Sequence, residues 1–484
     1  MIDLLIPPGM ENFWDFTDPF VVFWQSIFRL PDDMMRLSIC LIATYPAVLI
    51  HRFVLPGHKS RLVYSLFVGL FWAFFCFKWD ALYYVVTGLL CYLTVWFLPT
   101  KQSPFLVILI SFGILSYGHY NRYAYQYLHY SVDWATPMML FCIKVQSFAW
   151  CVFDGKRPPN KFLPEKNRIE KMPSFLEYFS WLFFFAGFLS GPVGEFQDYI
   201  SFSNRTMFKN EPNGEIPSSW EPAIKKTLWM FLGIFGFYLT KVIPESYCGT
   251  EEFLENPFWY RMLYLLIAVE VGFTKYYFAW FTGEAHTILV GAAYNGRSKS
   301  GNVLWNRIRM LDLIPFRLAH NRAMIHSNWN ICSGEWLRYY WYLRVPPVVM
   351  KYINPVLITF GISAFWHGFY PGYYLFFGLY AFYYLVEEVI DRRFKRKYVV
   401  IVSGREFKPI KPFIYKIYVA VATLATWIYI NSITITFRLL DWERTKIAWG
   451  AIYYWPIIVA AVLYFSFKLF VPAPPRVVPP KKTQ

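Results

Sequence analysis

A single histidine closes an apolar run at Ser363-Ala364-Phe365-Trp366-His367-Gly368, with Asn354 to Phe360 before it and Tyr373 to Phe377 after it. An ionisable ring at membrane depth costs roughly a few kcal/mol, so it is kept where a polar partner or a cavity gives it work. Imidazole titrates near neutrality and can take a proton from a hydroxyl as that hydroxyl attacks. Gly368, Pro371 and Gly372 follow at once, so the helix carrying His367 must break there. A broken helix at membrane depth is tolerated only where protein or a water-filled cavity covers it. That context favours chemistry over plain helix packing for His367. Upstream, Ser327-Asn328-Trp329-Asn330-Ile331-Cys332-Ser333-Gly334-Glu335-Trp336-Leu337-Arg338-Tyr339-Tyr340 mixes small polar residues with aromatic ones. It reads as the start of a helix, with Ser327 or Asn328 as N-cap. Taken alone, Asn330 is a capping or turn residue.

The rest of the chain must carry these groups inside a membrane. Of 484 residues, 56% are hydrophobic, 22% aromatic and only 16% charged; a soluble domain is about 25% charged. Apolar stretches fall at 37–55, 62–79, 81–98, 104–118, 134–152, 175–190, 224–243, 259–281, 353–366, 372–390, 417–437 and 448–469. A helix needs roughly 20 apolar residues to cross the hydrocarbon, which makes 104–118, 175–190 and 353–366 short. The expectation is an all-α polytopic bundle of about 11 spans. Alternating segments of a β-barrel are missing. Residues 1–35 form an interfacial segment rich in Trp and Phe, 36–470 the transmembrane domain and 471–484 a tail.

The formal charge is +16. One basic block at 297–351 holds Arg317, Arg322, Arg338 and Arg344, and a second spans 391–416. Both belong on the cytosolic side by the positive-inside rule. Nothing here points to nucleic acid; membrane lipid is the partner such charge meets. The chain ends Lys481-Lys482-Thr483-Gln484, which resembles the dilysine retrieval signal of endoplasmic reticulum membrane proteins. Two spans separate the 391–416 block from this tail, so both lie on one side, and a multi-pass protein with a cytosolic C-terminus is expected. The seven cysteines form no CxxC pair and the histidines no HExxH motif, so no metal is expected. Gly361 to Phe365 lacks the closing glycine of a nucleophile elbow. Tyr117-Gly118-His119-Tyr120-Asn121-Arg122-Tyr123 is polar and aromatic and reads as a structural element at an interface.

Trp329-Asn330, then Trp336-Leu337-Arg338-Tyr339, then Ser363 to Tyr373, resembles the membrane-bound O-acyltransferase family over roughly residues 100 to 484. Leu189-Ser190-Gly191-Pro192-Val193-Gly194-Glu195-Phe196 and Gly291-Ala292-Ala293-Tyr294-Asn295-Gly296 fit its lysophospholipid acyltransferase branch. The layout is most like the lysophosphatidylcholine acyltransferase 3 type. The resemblance implies that His367 and Asn330 are the catalytic pair. It also implies that acyl-CoA is a co-substrate rather than a bound cofactor, and that a lysophospholipid accepts the acyl group. Arg317, Arg322, Arg338 and Arg344 are then candidates to receive the CoA phosphates. The segment Cys332-Ser333-Gly334 departs from the Asn or Thr found there in several relatives. The alternatives are a sister acyltransferase acting on a sterol, diacylglycerol or protein, and a transporter using His367 as a proton relay. Headgroup, acyl chain and oligomeric state, a homo-oligomer included, stay open.

Overall fold

The computed structural model describes residues 5–7, 9–98, 101–129, 131–159, 164–391 and 412–470. The expected tail with Lys481 and Lys482, and residues 392–411 of the second basic block, lie outside the described residues.

The described residues are helical. The only ladder-type pairings among them are isolated bridges between Arg297 and Val303 and between Leu311 and Trp329. In chain order the helices are α1 (Asp18–Phe28), α2 (Asp32–Phe53), α3 (His58–Phe77), α4 (Leu82–Phe97), α5 (Ser103–Tyr125), α6 (Ala135–Gly155), α7 (Phe175–Leu182) and α8 (Phe196–Ser203). They continue with α9 (Trp220–Leu239), α10 (Glu251–Leu254), α11 (Phe258–Val290), α12 (Leu313–Arg317), α13 (Arg322–Asn328), α14 (Ile331–Tyr340), α15 (Pro347–Met350) and α16 (Pro355–His367). The last four are α17 (Pro371–Ile390), α18 (Pro412–Leu439), α19 (Trp442–Ala451) and α20 (Trp455–Phe470).

Among the described residues, six helical paths are long and apolar enough to cross a membrane, or seven when the pair α19 and α20, bent by 73°, counts as one. That is fewer than the about 11 expected from apolar length. The reasons are local. The stretches at 62–79 and 81–98 run together as one 40-residue path, His58–Phe97. The stretch at 175–190 forms only the eight-residue α7 and then turns. Its Trp181, Phe183, Phe184 and Phe185 are buried inside the protein, and an apolar run cannot by itself tell a lipid-facing span from a core segment. Helices α9 and α17 do form, with 20 residues each, but Lys225 and Lys226 in the first and five tyrosines in the second lower their apolar content. Exposed Phe20, Phe23, Ile27 and Phe28 on α1 give the N-terminal segment an apolar face.

Two buried cores organise the bundle. One gathers α2 to α8 around Phe141, Phe148, Trp181 and Phe183. The other gathers α11 and α16 to α20 around Phe281, Phe360, Phe377 and Ile433. Helices α14 and α16 sit on the seam. Trp336, Tyr340 and Trp366 belong to the first core, whereas Cys332, Phe360 and Ala364 belong to the second. The seam is therefore where Asn330 and His367 reside. At its far end α17 comes close to α18: a Cβ on Gly372 would overlap the Thr436 carbonyl oxygen. The Gly372 N–H donates to the Leu440 carbonyl (2.8 Å), so only glycine fits this crossing.

Candidate active site

Helix α16 starts at Asn354, whose side chain accepts from the Val356 N–H, with Pro355 in the first turn where its missing N–H costs nothing. It stops at His367 because Gly368 adopts φ +127° and ψ −161°, a region open essentially to glycine alone. The break that the spacing of Gly368 and Pro371 predicts is thus built into the backbone. The His367 ring is half-buried. Phe377 stacks on it at 5.2 Å between centroids, and Phe437 meets it edge-on at 4.9 Å. Tyr373 lies at 5.5 Å. Among the described residues neither ring nitrogen is engaged in a hydrogen bond. An imidazole walled by rings and open on its nitrogens is suited to exchange a proton with a bound hydroxyl.

Asn330 stands between α13 and α14. The expected N-cap, Ser327 or Asn328, is displaced: both fall at the end of α13, and Asn330 itself precedes α14. Its backbone is left-handed, φ 42° and ψ 54°, a conformation asparagine reaches more readily than other residues with a Cβ. Its side chain makes no capping hydrogen bond. The carboxamide oxygen is buried without a partner. Leaving such an atom unpaired costs about 1–3 kcal/mol, and its acceptor capacity is not taken up by the described residues.

What holds it is visible on both sides. The Trp329 indole stacks on Phe316 at 4.8 Å and is boxed by Trp280 at 4.8 Å, Phe273 at 4.9 Å and Tyr276 at 5.9 Å. The Ile331 N–H donates to the Met310 carbonyl (3.0 Å). The loop that supplies this carbonyl is fixed by Glu284, 1% exposed on α11, which accepts from the Met310 N–H (2.6 Å) and the Leu311 N–H (3.0 Å) and pairs with Lys226. Glu284 escaped the sequence reading because a lone carboxylate in an apolar run carries no spacing signal.

The two candidates ride on packed neighbours. Trp336 of α14 meets Trp366 of α16 with ring centroids 5.6 Å apart. Asn330 precedes Trp336 by about 9 Å of helical rise. A second route runs from Trp329 to Tyr276, whose hydroxyl accepts from Arg438 (3.2 Å), next to the Phe437 that covers His367. The side chains of Asn330 and His367 are not bonded to each other. At the far end of α14, the Tyr340 hydroxyl donates to Glu195 (3.0 Å), a carboxyl that burial pushes up to about 7.

The four arginines are not gathered at one place. Arg317 is paired with Glu270 (2.7 Å) and the Tyr277 hydroxyl and lines a cavity of about 490 Å³ with Lys416 and Trp427. Arg344 grips Asp154 with both nitrogens (3.1 and 2.7 Å) and lines a separate cavity of about 590 Å³ with Trp150, Arg157 and Arg168. Arg322 faces Asp391 (3.3 Å) and Glu387 (3.8 Å) at the end of α17. Arg338 alone is exposed and in no ion pair among the described residues; its guanidinium lies over Tyr339 at 5.8 Å.

The sequence model of the membrane-bound O-acyltransferase family matches residues 119–432, a segment that includes Asn330, the broken helix and His367. The chain belongs to this family. Its relatives include a lysophospholipid acyltransferase of Schizosaccharomyces pombe, 29% identical over 89% of this chain and 86% of that one. They also include the membrane-bound glycerophospholipid O-acyltransferase 2 of Gallus gallus, 31% identical over 72% of this chain and 70% of that one. The membrane-bound glycerophospholipid O-acyltransferase 1 of Homo sapiens is 27% identical over 93% and 92%. The chain is accordingly an O-acyltransferase and a multi-pass membrane protein, and the transporter alternative falls away.

Proposed function

We propose that this O-acyltransferase moves a fatty acyl group from acyl-CoA to the free glycerol hydroxyl of a lysophospholipid in the endoplasmic reticulum membrane. Lysophosphatidylcholine is the foremost acceptor, with lysophosphatidylethanolamine and lysophosphatidylserine beside it. The observation that carries the reading is the family match together with an imidazole whose nitrogens are unengaged at a helix break on the seam of two cores. The names of the relatives support the choice of acceptor.

The thioester is already activated, so one displacement suffices. A nitrogen of His367 takes the hydroxyl proton while the oxygen attacks the thioester carbon. The C–S bond breaks, and the CoA thiolate leaves and is protonated by the imidazolium. Such general-base help is worth roughly 10²–10⁴ in rate. The Asn330 carboxamide orients the hydroxyl or donates to the developing oxyanion, a contribution of about 10²–10³. Holding both lipids in register supplies the remainder. Arg338, exposed and unpaired, is the arginine best placed to meet a CoA phosphate; Arg317, Arg322 and Arg344 would first have to leave carboxylate partners.

An acceptor panel tests this reading. Purified protein is given oleoyl-CoA with lysophosphatidylcholine, lysophosphatidylethanolamine, lysophosphatidylserine, diacylglycerol, cholesterol or a peptide. Acylation of the lysophospholipids is expected. Acylation confined to diacylglycerol, sterol or peptide contradicts it.

A further inference from the structure

The polar segment Tyr117 to Tyr123, read from sequence as structural, packs directly behind the helix break. Of the last carbonyls of α16, those of Ala364 and Phe365 accept from the Gly368 N–H, 3.2 Å each. The Trp366 carbonyl is left without an intrahelical donor, as the end of any helix requires. His119 supplies one from α5, 247 residues away in sequence: its ring Nε2 lies 3.0 Å from that oxygen. A carbonyl only accepts, so Nε2 carries the proton. The opposite face of the same ring closes the next residue. A Cβ on Gly368 would come within 3.2 Å of His119 Nδ1. His119 is 3% exposed, and its ring edge also meets Phe369 at 6.1 Å.

Trp366 is thereby gripped from three helices. Its carbonyl is held by His119 on α5, its indole N–H donates to the Met139 carbonyl on α6 (2.9 Å), and its ring lies against Trp336 on α14. Beyond the break, the Tyr370 hydroxyl accepts from the Leu128 N–H (3.1 Å) and donates to the Arg122 carbonyl (3.5 Å), so the α5 end holds both flanks. His367 lies between the pinned residue and the glycine. Among the described residues its own nitrogens are unengaged, so the aim of the ring is set by the backbone that carries it together with the Phe377, Phe437 and Tyr373 rings around it.

We propose that His119 is a positioning residue for the His367 base: its N–H fixes the Trp366 carbonyl and so presents the neighbouring imidazole to the acceptor hydroxyl. This rests on the role of His367 stated above.

The test compares full-length His119→Leu and His119→Gln with the wild-type protein and with His367→Ala, using oleoyl-CoA and lysophosphatidylcholine. Leucine keeps the volume and removes the donor; glutamine returns an N–H at similar reach. A misplacement near 1 Å costs about 10²-fold in rate, so His119→Leu should lose about ten- to hundredfold in kcat. Both KM values should stay within about threefold, because ground-state binding is untouched. His119→Gln should recover most of the loss. A folded His119→Leu protein with wild-type kcat, a glutamine variant as slow as the leucine one, or a loss confined to KM overturns the proposal. If the leucine variant does not accumulate folded, the glutamine variant decides alone: near-wild-type kcat supports the proposal and a deep loss overturns it. Wild-type rates in His367→Ala would sink the underlying mechanism, whereas an inactive His367→Ala beside a fully active His119→Leu sinks only this inference.

Discussion

At the scale of single residues, the site combines two side chains that the fold declines to use. The Asn330 oxygen is buried with no partner, and the His367 nitrogens are unengaged among the described residues. The unpaired Asn330 oxygen is stability forgone, which is common where a group is kept for substrate. Asn330→Ala should therefore reduce kcat by about 10²–10³ with little change in thermal stability; a variant of full activity would remove Asn330 from the mechanism. Arg338→Ala should raise the KM for acyl-CoA by roughly three- to tenfold with kcat retained, as expected for a contact made equally in ground and transition states. Arg344→Ala should instead lower the melting temperature, because it strands Asp154 and loses charge-assisted hydrogen bonds worth roughly 1–3 kcal/mol. Initial-rate kinetics and thermal unfolding of the same preparations separate the two effects. His367 stands out in its window because an ionisable ring beside Gly and Pro in an apolar run is chemically out of place, and its proposed role as base comes from the family resemblance. Asn330 needed the family resemblance: by itself the residue type fits any turn, and only the structure shows that its side chain caps nothing.

At the scale of elements, the break after α16 places His367 at the last position of its helix. Gly368 holds φ +127° and ψ −161°, and a side chain there would incur about 1–3 kcal/mol of backbone strain besides crowding His119. Gly368→Ala is expected to fold, to lose about 1–3 kcal/mol of stability and to lose at least tenfold in kcat. Normal turnover in Gly368→Ala would show that the break does not aim the ring. The spans near 37–55, 134–152 and 417–437 were legible as long apolar runs with polar ends. The stretch at 175–190 was not, because Trp181 to Phe185 are apolar for the sake of a protein core and not of lipid. The partnership of His119 with Trp366 was illegible too: local spacing reports polarity, but not which of two helices 247 residues apart will meet.

At the scale of the whole molecule, two cores meet along a seam occupied by α14 and α16, and the two residues proposed as catalytic lie on the elements of that seam. Of the four candidate arginines, Arg317, Arg322 and Arg344 face carboxylates, so the basic block at 297–351 offers less free positive charge to a polyanion than its arginine count suggests. Charge composition records how many cations there are, not what they face. The orientation expected from sequence gives its own prediction. A reporter cysteine placed just before Lys481 should react with an impermeant maleimide in microsomes without detergent, and replacing Lys481 and Lys482 by serine should release the protein from the endoplasmic reticulum. Labelling only after permeabilisation would reverse the topology. The claim on which all of this depends is that His367 takes the acceptor proton. The most direct measurement is the single-turnover rate of acyl transfer from oleoyl-CoA to lysophosphatidylcholine by folded His367→Ala beside wild type. A loss of about 10²–10⁴ is predicted, and an undiminished rate would contradict the mechanism.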